Sequence, residues 1–180
     1  MTASLQTDRL LLRGWRETDL EALALFYADE ESTRFIGGAR NLNGAWRNLA
    51  AFAGHWVLKG FGPFAVTLRD NGALAGYCGP WDPAGKAEEP ELAYGFLPFA
   101  RGRGLATEAL KVALAYCYED LGWKTACSFI ARENTASINL ARRLGAFHEK
   151  DGAIYGGSVP CQFWRYPAPD EIQSSIQRNA

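Results

Sequence analysis

The sequence predicts a mixed α/β domain with a central, largely antiparallel sheet flanked by helices. Three stretches carry that expectation. Gly62 to Gly79 holds two apolar runs, 64–68 and 73–78, on either side of Asp70-Asn71-Gly72, a hairpin turn signal. Glu91 to Leu97 reads as an apolar strand that leads through Pro98 into Arg101-Gly102-Arg103-Gly104-Leu105-Ala106. Behind that turn, apolar residues at 106, 109, 110, 113, 114, 117 and 121 have helical spacing, and Gly122 stops the run. Lys124 to Ala131, Thr135 to Leu144 and three short runs near the end then supply a strand, a helix and closing strands. At 180 residues, 48% hydrophobic and 22% charged, the chain has the size and composition of one domain with a substantial core. The domain is expected over residues 1–167, with 168–180 a polar tail.

The other elements follow in order. Leu5 to Arg13, with Leu10-Leu11-Leu12, reads as a first strand. Thr18 or Asp19 is placed to cap a helix whose stripe is Leu20, Leu23, Ala24, Phe26 and Tyr27. Gly37-Gly38 breaks the chain before a second helix over Ala45 to Leu58, with Trp46, Leu49, Phe52, Ala53 and Trp56 on its apolar side. Trp81 to Pro90 is a loop with a local acidic cluster at Glu88, Glu89 and nearby Glu91. Asn134 sits where a helix N-cap belongs and Gly145 where a helix stops. Phe147 to Lys150, Ala153 to Tyr155 and Cys161 to Tyr166 close the sheet, giving the order β, α, α, three antiparallel strands, α, β, α, β, β.

Composition narrows the function. A net charge of −1 and no block of basic residues give no electrostatic case for a nucleic-acid or membrane partner. The four cysteines lack C-x-x-C spacing and there are two histidines, so no metal site is expected. Buried free thiols suit a reducing cytoplasm. No apolar run approaches 18 residues and no signal pattern opens the sequence. A cytoplasmic protein is expected, with homodimerisation left open.

The strand, glycine-rich turn and helix start around 101–106 form an anion site. The first N–H groups of a helix lack internal partners, and the dipole adds positive charge. Glycines let backbone approach a phosphate, and Arg101 and Arg103 add formal charge. A nucleotide-triphosphate loop would need Gly-Lys-Ser/Thr, which is missing here. Gly102, Gly104 and Thr107 narrowly miss the dinucleotide G-x-G-x-x-G, and the preceding hairpins do not suit its βαβ unit. A tight turn carrying solvated arginines is the plainer alternative.

Arg101-x-x-Gly104-x-Ala106 matches the Q/R-x-x-G-x-G/A signature of the GNAT superfamily of acyl-CoA-dependent N-acetyltransferases. Arg-Gly-x-Gly-x-Ala-Thr-Glu-Ala resembles the branch holding the Rim-type ribosomal-protein N-terminal acetyltransferases. The resemblance runs from Thr7-Asp8-Arg9-Leu10 to Gly145-Ala146-Phe147, with Glu91-Leu92-Ala93-Tyr94 and Asn134-x-x-Ser137 strengthening it. It implies a GNAT-like sheet in which strands four and five splay apart around the pantetheine arm of acetyl-CoA. It also implies a cofactor site of Phe96, Leu97, Arg101, Gly102, Arg103, Gly104, Leu105, Ala106, Thr107 and Asn134, with backbone N–H groups around Phe96 and Leu97 on the pantetheine or the developing oxyanion. The acceptor would be a primary amine, on a protein N-terminus or a small metabolite.

Acetyl transfer needs a neutral amine, a polarised thioester and a protonated leaving thiolate. Glu91 matches the family's strand glutamate and is the candidate base, directly or through water; an ordinary salt-bridged carboxylate is the alternative. The helix tyrosine that many relatives use as acid is replaced by Ala141, so the resemblance offers Ser137, whose other reading is a helix-cap residue. That missing tyrosine also motivates a different class of function, a non-catalytic acyl-CoA-binding or sensing module. Gly95 allows a close ligand approach or tight packing. Trp46, Trp56 and Phe61 either line the acceptor cleft or fill the core. Glu108 reads as favourable charge in the first helical turn rather than a ligand, and His55 and His148 as structural or surface residues.

Overall fold

The computed structural model describes residues 2–82, 91–154 and 159–168. The expected strand at 5–13 is instead a small hairpin, β1 (Leu5–Gln6) and β2 (Leu10–Arg13). Thr7 makes the turn: its N–H donates to the Leu10 carbonyl, and its hydroxyl accepts from the Leu10 N–H, both at 3.0 Å. Then follow α1 (Leu20–Ala28), α2 (Glu30–Thr33) and α3 (Leu42–Lys59). Asp19 does not cap α1 with its side chain. It is 5% exposed and binds both terminal nitrogens of Arg13 at 2.8 Å and the Arg16 N–H at 2.8 Å. α3 begins three residues before the expected Ala45, because Asn41 caps it by accepting from the Gly44 N–H.

β3 (Phe64–Leu68) and β4 (Leu74–Trp81) form the expected hairpin, with Gly72 in the left-handed region at φ 74°. β5 (Glu91–Phe96), α4 (Leu105–Glu119), β6 (Cys127–Ala131) and α5 (Thr135–Arg143) continue in the predicted order. The expected runs at 147–150 and 153–155 merge into one strand, β7 (Phe147–Ile154), with a register irregularity between His148 and Lys150. β8 (Val159–Arg165) closes the chain. Glu88 and Glu89 of the acidic cluster, Tyr155 and the tail from 169 lie outside the described residues.

The described strands form an eight-stranded sheet in the order β1-β2-β3-β4-β5-β6-β8-β7. The last strand inserts beside β6, and β5–β6 is the parallel pair in an otherwise antiparallel sheet. β4 and β5 pair at six positions from Gly76↔Phe96 to Trp81↔Glu91, whereas β5 meets β6 only at Glu91↔Cys127. These are the fourth and fifth strands of the sequence reading, and they splay.

All five residues of β3 are buried, so both sheet faces are covered. On one face Leu105, Leu110 and Leu114 of α4 pack on Leu10, Leu12, Val66 and Leu92. On the other, Leu23, Phe26 and Tyr27 of α1 and Phe52 of α3 pack on Ala65, Leu74 and Tyr77. Each buried leucine of this kind contributes about 2 kcal/mol by removing its side chain from water. Among the described residues, no helix is long and apolar enough to cross a membrane.

Candidate active site

The glycine-rich turn is built from two left-handed residues, Gly102 at φ 70° and Gly104 at φ 76°. A side chain at Gly102 would meet nothing within 4 Å, and one at Gly104 only the Arg9 guanidinium at 3.5 Å. Backbone conformation, rather than crowding, calls for glycine there, and space remains over the helix start. Glu108 N–H is the first to reach back along α4, to the Gly104 carbonyl at 3.1 Å. The N–H groups of Leu105, Ala106 and Thr107 therefore precede the intrahelical ladder and suit an anion. Asn134, Thr107 and this turn fit the phosphates and pantetheine of an acyl-CoA in donor chemistry.

The two arginines of the turn differ. Arg101 is held away from the helix start: Nε donates to the Phe96 carbonyl at 3.1 Å, and its Nη2 reaches Ser32 and lies 3.9 Å from Asp29. The Arg103 side chain is exposed, while its carbonyl accepts from Arg9 at 2.9 Å. Glu108 is directed instead to the β1–β2 turn, where it receives Thr7 Oγ1 at 2.5 Å and Arg9 Nε at 2.7 Å. Burial opposes its ionisation, but these hydrogen bonds hold its carboxyl below the usual carboxylate range. Thr7 and Arg9 of the β1–β2 turn thus tie α4 and its glycine turn to the sheet edge, a role the sequence shows only as a short motif.

Between β5 and β6 the gap begins just past Glu91. Leu97 N–H donates to the Ala75 carbonyl of β4 at 2.9 Å. Strand alternation then turns the Tyr94 and Phe96 N–H groups toward β6, so of the predicted pair it is Phe96 that faces the gap. The Leu92 carbonyl already faces this side, accepting from the buried Ser128 hydroxyl at 2.7 Å. Gly95 is a packing residue: a Cβ there would lie 2.6 Å from the Tyr77 ring and 2.7 Å from Phe26.

A cleft of about 370 Å³ opens at this gap. Glu91 and Tyr94 of β5 and Asn134 and Ser137 at the start of α5 are among its lining residues. Burial pushes the Glu91 carboxyl up to about 7, against a hydrogen bond from the Phe129 N–H that lowers it. Such a group is poised to exchange a proton near neutrality. Asn134 caps α5 by accepting from the Ser137 N–H at 3.1 Å, which places Ser137 in the first turn facing the cleft. The Tyr94 hydroxyl, missed in the sequence as a site residue, meets Ser137 at its carbonyl at 3.4 Å. Burial pushes Tyr94 up to about 12, with the Ser137 side-chain hydrogen bond opposing and the Glu91 charge reinforcing the shift. Ala141 is fully buried in the core.

An aromatic wall completes the lining, from Tyr27 of α1, Phe52 of α3, and Tyr77 and Trp81 of β4, with Trp81 the cross-strand partner of Glu91 and with Arg40 and Asn48 as polar members. Phe52 packs tilted against Tyr77 and edge-to-face against Trp81, with centroids 4.9 and 5.4 Å apart. Trp56 is not on this wall but in the core, its Nε1 donating to the Pro63 carbonyl. Trp46 is 54% exposed, and Phe61 packs on His55 and Trp123. Helical periodicity finds Phe52 but cannot say which turn of α3 meets the gap.

His55 is structural. Its Nε2 accepts from the Asp82 N–H, leaving Nδ1 to donate to the Phe61 carbonyl, and the ring stacks on Trp81. His148 sits at the surface beside Asp151. All four cysteines are buried free thiols, and burial raises Cys78, Cys117 and Cys161, the opposite of nucleophile activation.

Residues 9–146 match the family model described as an acetyltransferase (GNAT) domain. The chain belongs to the GNAT acetyltransferase family. It is 27% identical over 152 residues, 83% of this chain and 85% of the relative, to the uncharacterised N-acetyltransferase YoaA of Bacillus subtilis (strain 168). An acetyltransferase from Agrobacterium tumefaciens str. C58 superposes with a TM-score of 0.77 at 25% identity, covering 92% of this chain and 94% of that one. The spermidine N-acetyltransferase of Vibrio cholerae, solved with CoA and spermine, shares the fold with a TM-score of 0.74 at 17% identity, covering 93% and 99% of the two chains. As a GNAT acetyltransferase, the protein has the mixed sheet and acetyl-transfer chemistry of the family.

Proposed function

We propose that the protein is an acetyl-CoA-dependent N-acetyltransferase acting on a primary amine, of a protein N-terminus or a small molecule, by direct attack. The carrying observation is Glu91: a carboxyl pushed up to about 7 at the mouth of the β5–β6 gap, in a cleft that also holds Tyr94 and Ser137. Acetyl-CoA supplies the activated acetyl group, with its phosphates on the N–H groups of Leu105, Ala106 and Thr107 and its pantetheine beside Phe96 and Asn134. Glu91 takes the proton that the amine loses, directly or through water, as the N–C bond forms and the C–S bond breaks. The Phe96 N–H is aimed at the gap where oxyanion charge develops. Ser137 donates a hydrogen bond to the departing sulfur and relays the proton that ends there, while Tyr94, held protonated, donates to the Ser137 carbonyl and steadies that helix turn. The buried thiols disfavour a covalent acyl-enzyme and suit a reducing cytoplasm.

The Rim-like branch, with a protein N-terminus as acceptor, rests on the sequence resemblance alone. Tyr94 weakens the motive for a sensing module, because a phenol stands in the cleft although α5 lacks one. Calorimetric binding of acetyl-CoA, with NAD as control, followed by CoA release across amines and N-terminal peptides, tests this reading. Micromolar acetyl-CoA binding and amine-dependent release are expected. No acetyl-CoA binding would overturn it, and binding without release to any amine would favour the sensor.

A further inference from the structure

Among the described residues, Arg40 gives the acceptor cleft a charge with no carboxylate counterpart. Its guanidinium sits 5.1 Å from the centroid of the Tyr27 ring, and Nη2 donates to the Ile36 carbonyl at 2.8 Å. These contacts fix the half-buried side chain on the wall but neutralise nothing. Among the described residues no carboxylate pairs with it, whereas Arg13, Arg34, Arg101, Arg132 and Arg165 each have one. Within the described lining of the cleft, Arg40 is the one cation and Glu91 the one carboxylate. They reach it from different elements, Arg40 from the segment before α3 and Glu91 from the start of β5, with Phe52, Tyr77 and Trp81 lining the same space.

An arginine partly withdrawn from water without an anion is unfavourable, and its fork suits a carboxylate or phosphate. A polycation would meet repulsion at the same point. The volume, about 370 Å³, must also take the acetyl end of the donor, which leaves room for a small molecule. We propose that the acceptor is a small amine bearing its own anionic group: Arg40 holds the anion, Phe52, Tyr77 and Trp81 hold an apolar body, and the nitrogen faces Glu91. This assignment rests on the acetyltransferase reading for its chemistry, but not for its binding geometry.

The test compares matched pairs with the full chain and acetyl-CoA: L-tryptophan and L-tryptophanamide, L-methionine and L-methioninamide, O-phosphoethanolamine and ethanolamine, with spermine alongside. The anionic member of a pair is expected to be favoured about ten-fold or more in kcat/KM, as for a charge-assisted hydrogen bond. Arg40→Gln should abolish that preference while the KM for acetyl-CoA stays within about two-fold, and Arg40→Lys should retain part of it. Whether the amino-acid or phosphate pair responds identifies the anion. Equal or better use of the amides, ethanolamine or spermine would overturn the proposal, as would a preference that survives in Arg40→Gln. If no amine is acetylated, calorimetric binding of the same pairs to the CoA-saturated protein decides. Arg40-dependent binding of the anionic members upholds the acceptor site even though the transfer reading falls; equal or absent binding overturns it.

Discussion

At the scale of single residues, Glu91 and Ser137 were legible as types in motifs, but their environment was not. Glu91 is a base candidate because burial raises its carboxyl to about 7. Activity is therefore expected to rise as pH passes through about 7 and to level off above it. Glu91→Gln should lower kcat by about 100-fold or more and remove that limb; near-normal turnover across pH would end its role. Stability moves the opposite way. Between the ordinary carboxyl value of 4.5 and about 7, the unfolded chain has released a proton that the native state keeps, so stability falls as pH rises through this window. Glu91→Gln should thus melt higher than the parent at pH 8 and nearly alongside it at pH 4. Ser137→Ala is expected to lower kcat with the KM for acetyl-CoA and the melting temperature nearly unchanged. Lost affinity or stability alone would make Ser137 a helix-turn residue only. Tyr94 escaped the sequence reading because an aromatic in a half-buried strand is ordinarily a packing residue. Only its approach to Ser137 and Glu91 sets it apart.

At the scale of elements, the starts of α4 and α5 do different work. Asn134 caps α5 through the Ser137 N–H, so Asn134→Ala should cost about 1 kcal/mol in chemical denaturation and raise the KM for acetyl-CoA. α4 starts after a left-handed Gly104, and its position depends on the ties from Thr7 and Arg9 to Glu108 and Arg103. Arg9→Ala should raise the KM for acetyl-CoA severalfold with little change in kcat for the bound donor, measured by steady-state kinetics. An unchanged KM would mean that the glycine turn holds its shape without that tie. Periodicity located both helices within two residues. It could not show that 5–13 is a hairpin, since the turn residues Thr7-Asp8-Arg9 are polar but lack glycine or proline.

At the scale of the molecule, the sheet is covered on both faces, and the cleft is a break in its pairing rather than a hollow in its core. Leu110, fully buried between α4 and the sheet, should cost about 2–5 kcal/mol as Leu110→Ala in a urea titration. The four thiols are enclosed in that core, so a disulfide reagent such as DTNB should label them only as the protein unfolds. Prompt labelling of the native protein would show that the core is open.

The sequence by itself determined the mixed sheet, the hairpin at 64–78, the glycine-turn helix start and the family, because those rest on local periodicity, turn chemistry and a contiguous motif. Tertiary structure alone decided which aromatics face the cleft, which of Phe96 and Leu97 offers its N–H, what Glu108 binds, and where Arg40 points its charge. Each of these depends on which distant strand or helix lies opposite. The apolar pattern of one segment records that a face is buried, but not what covers it or where the covering strands part.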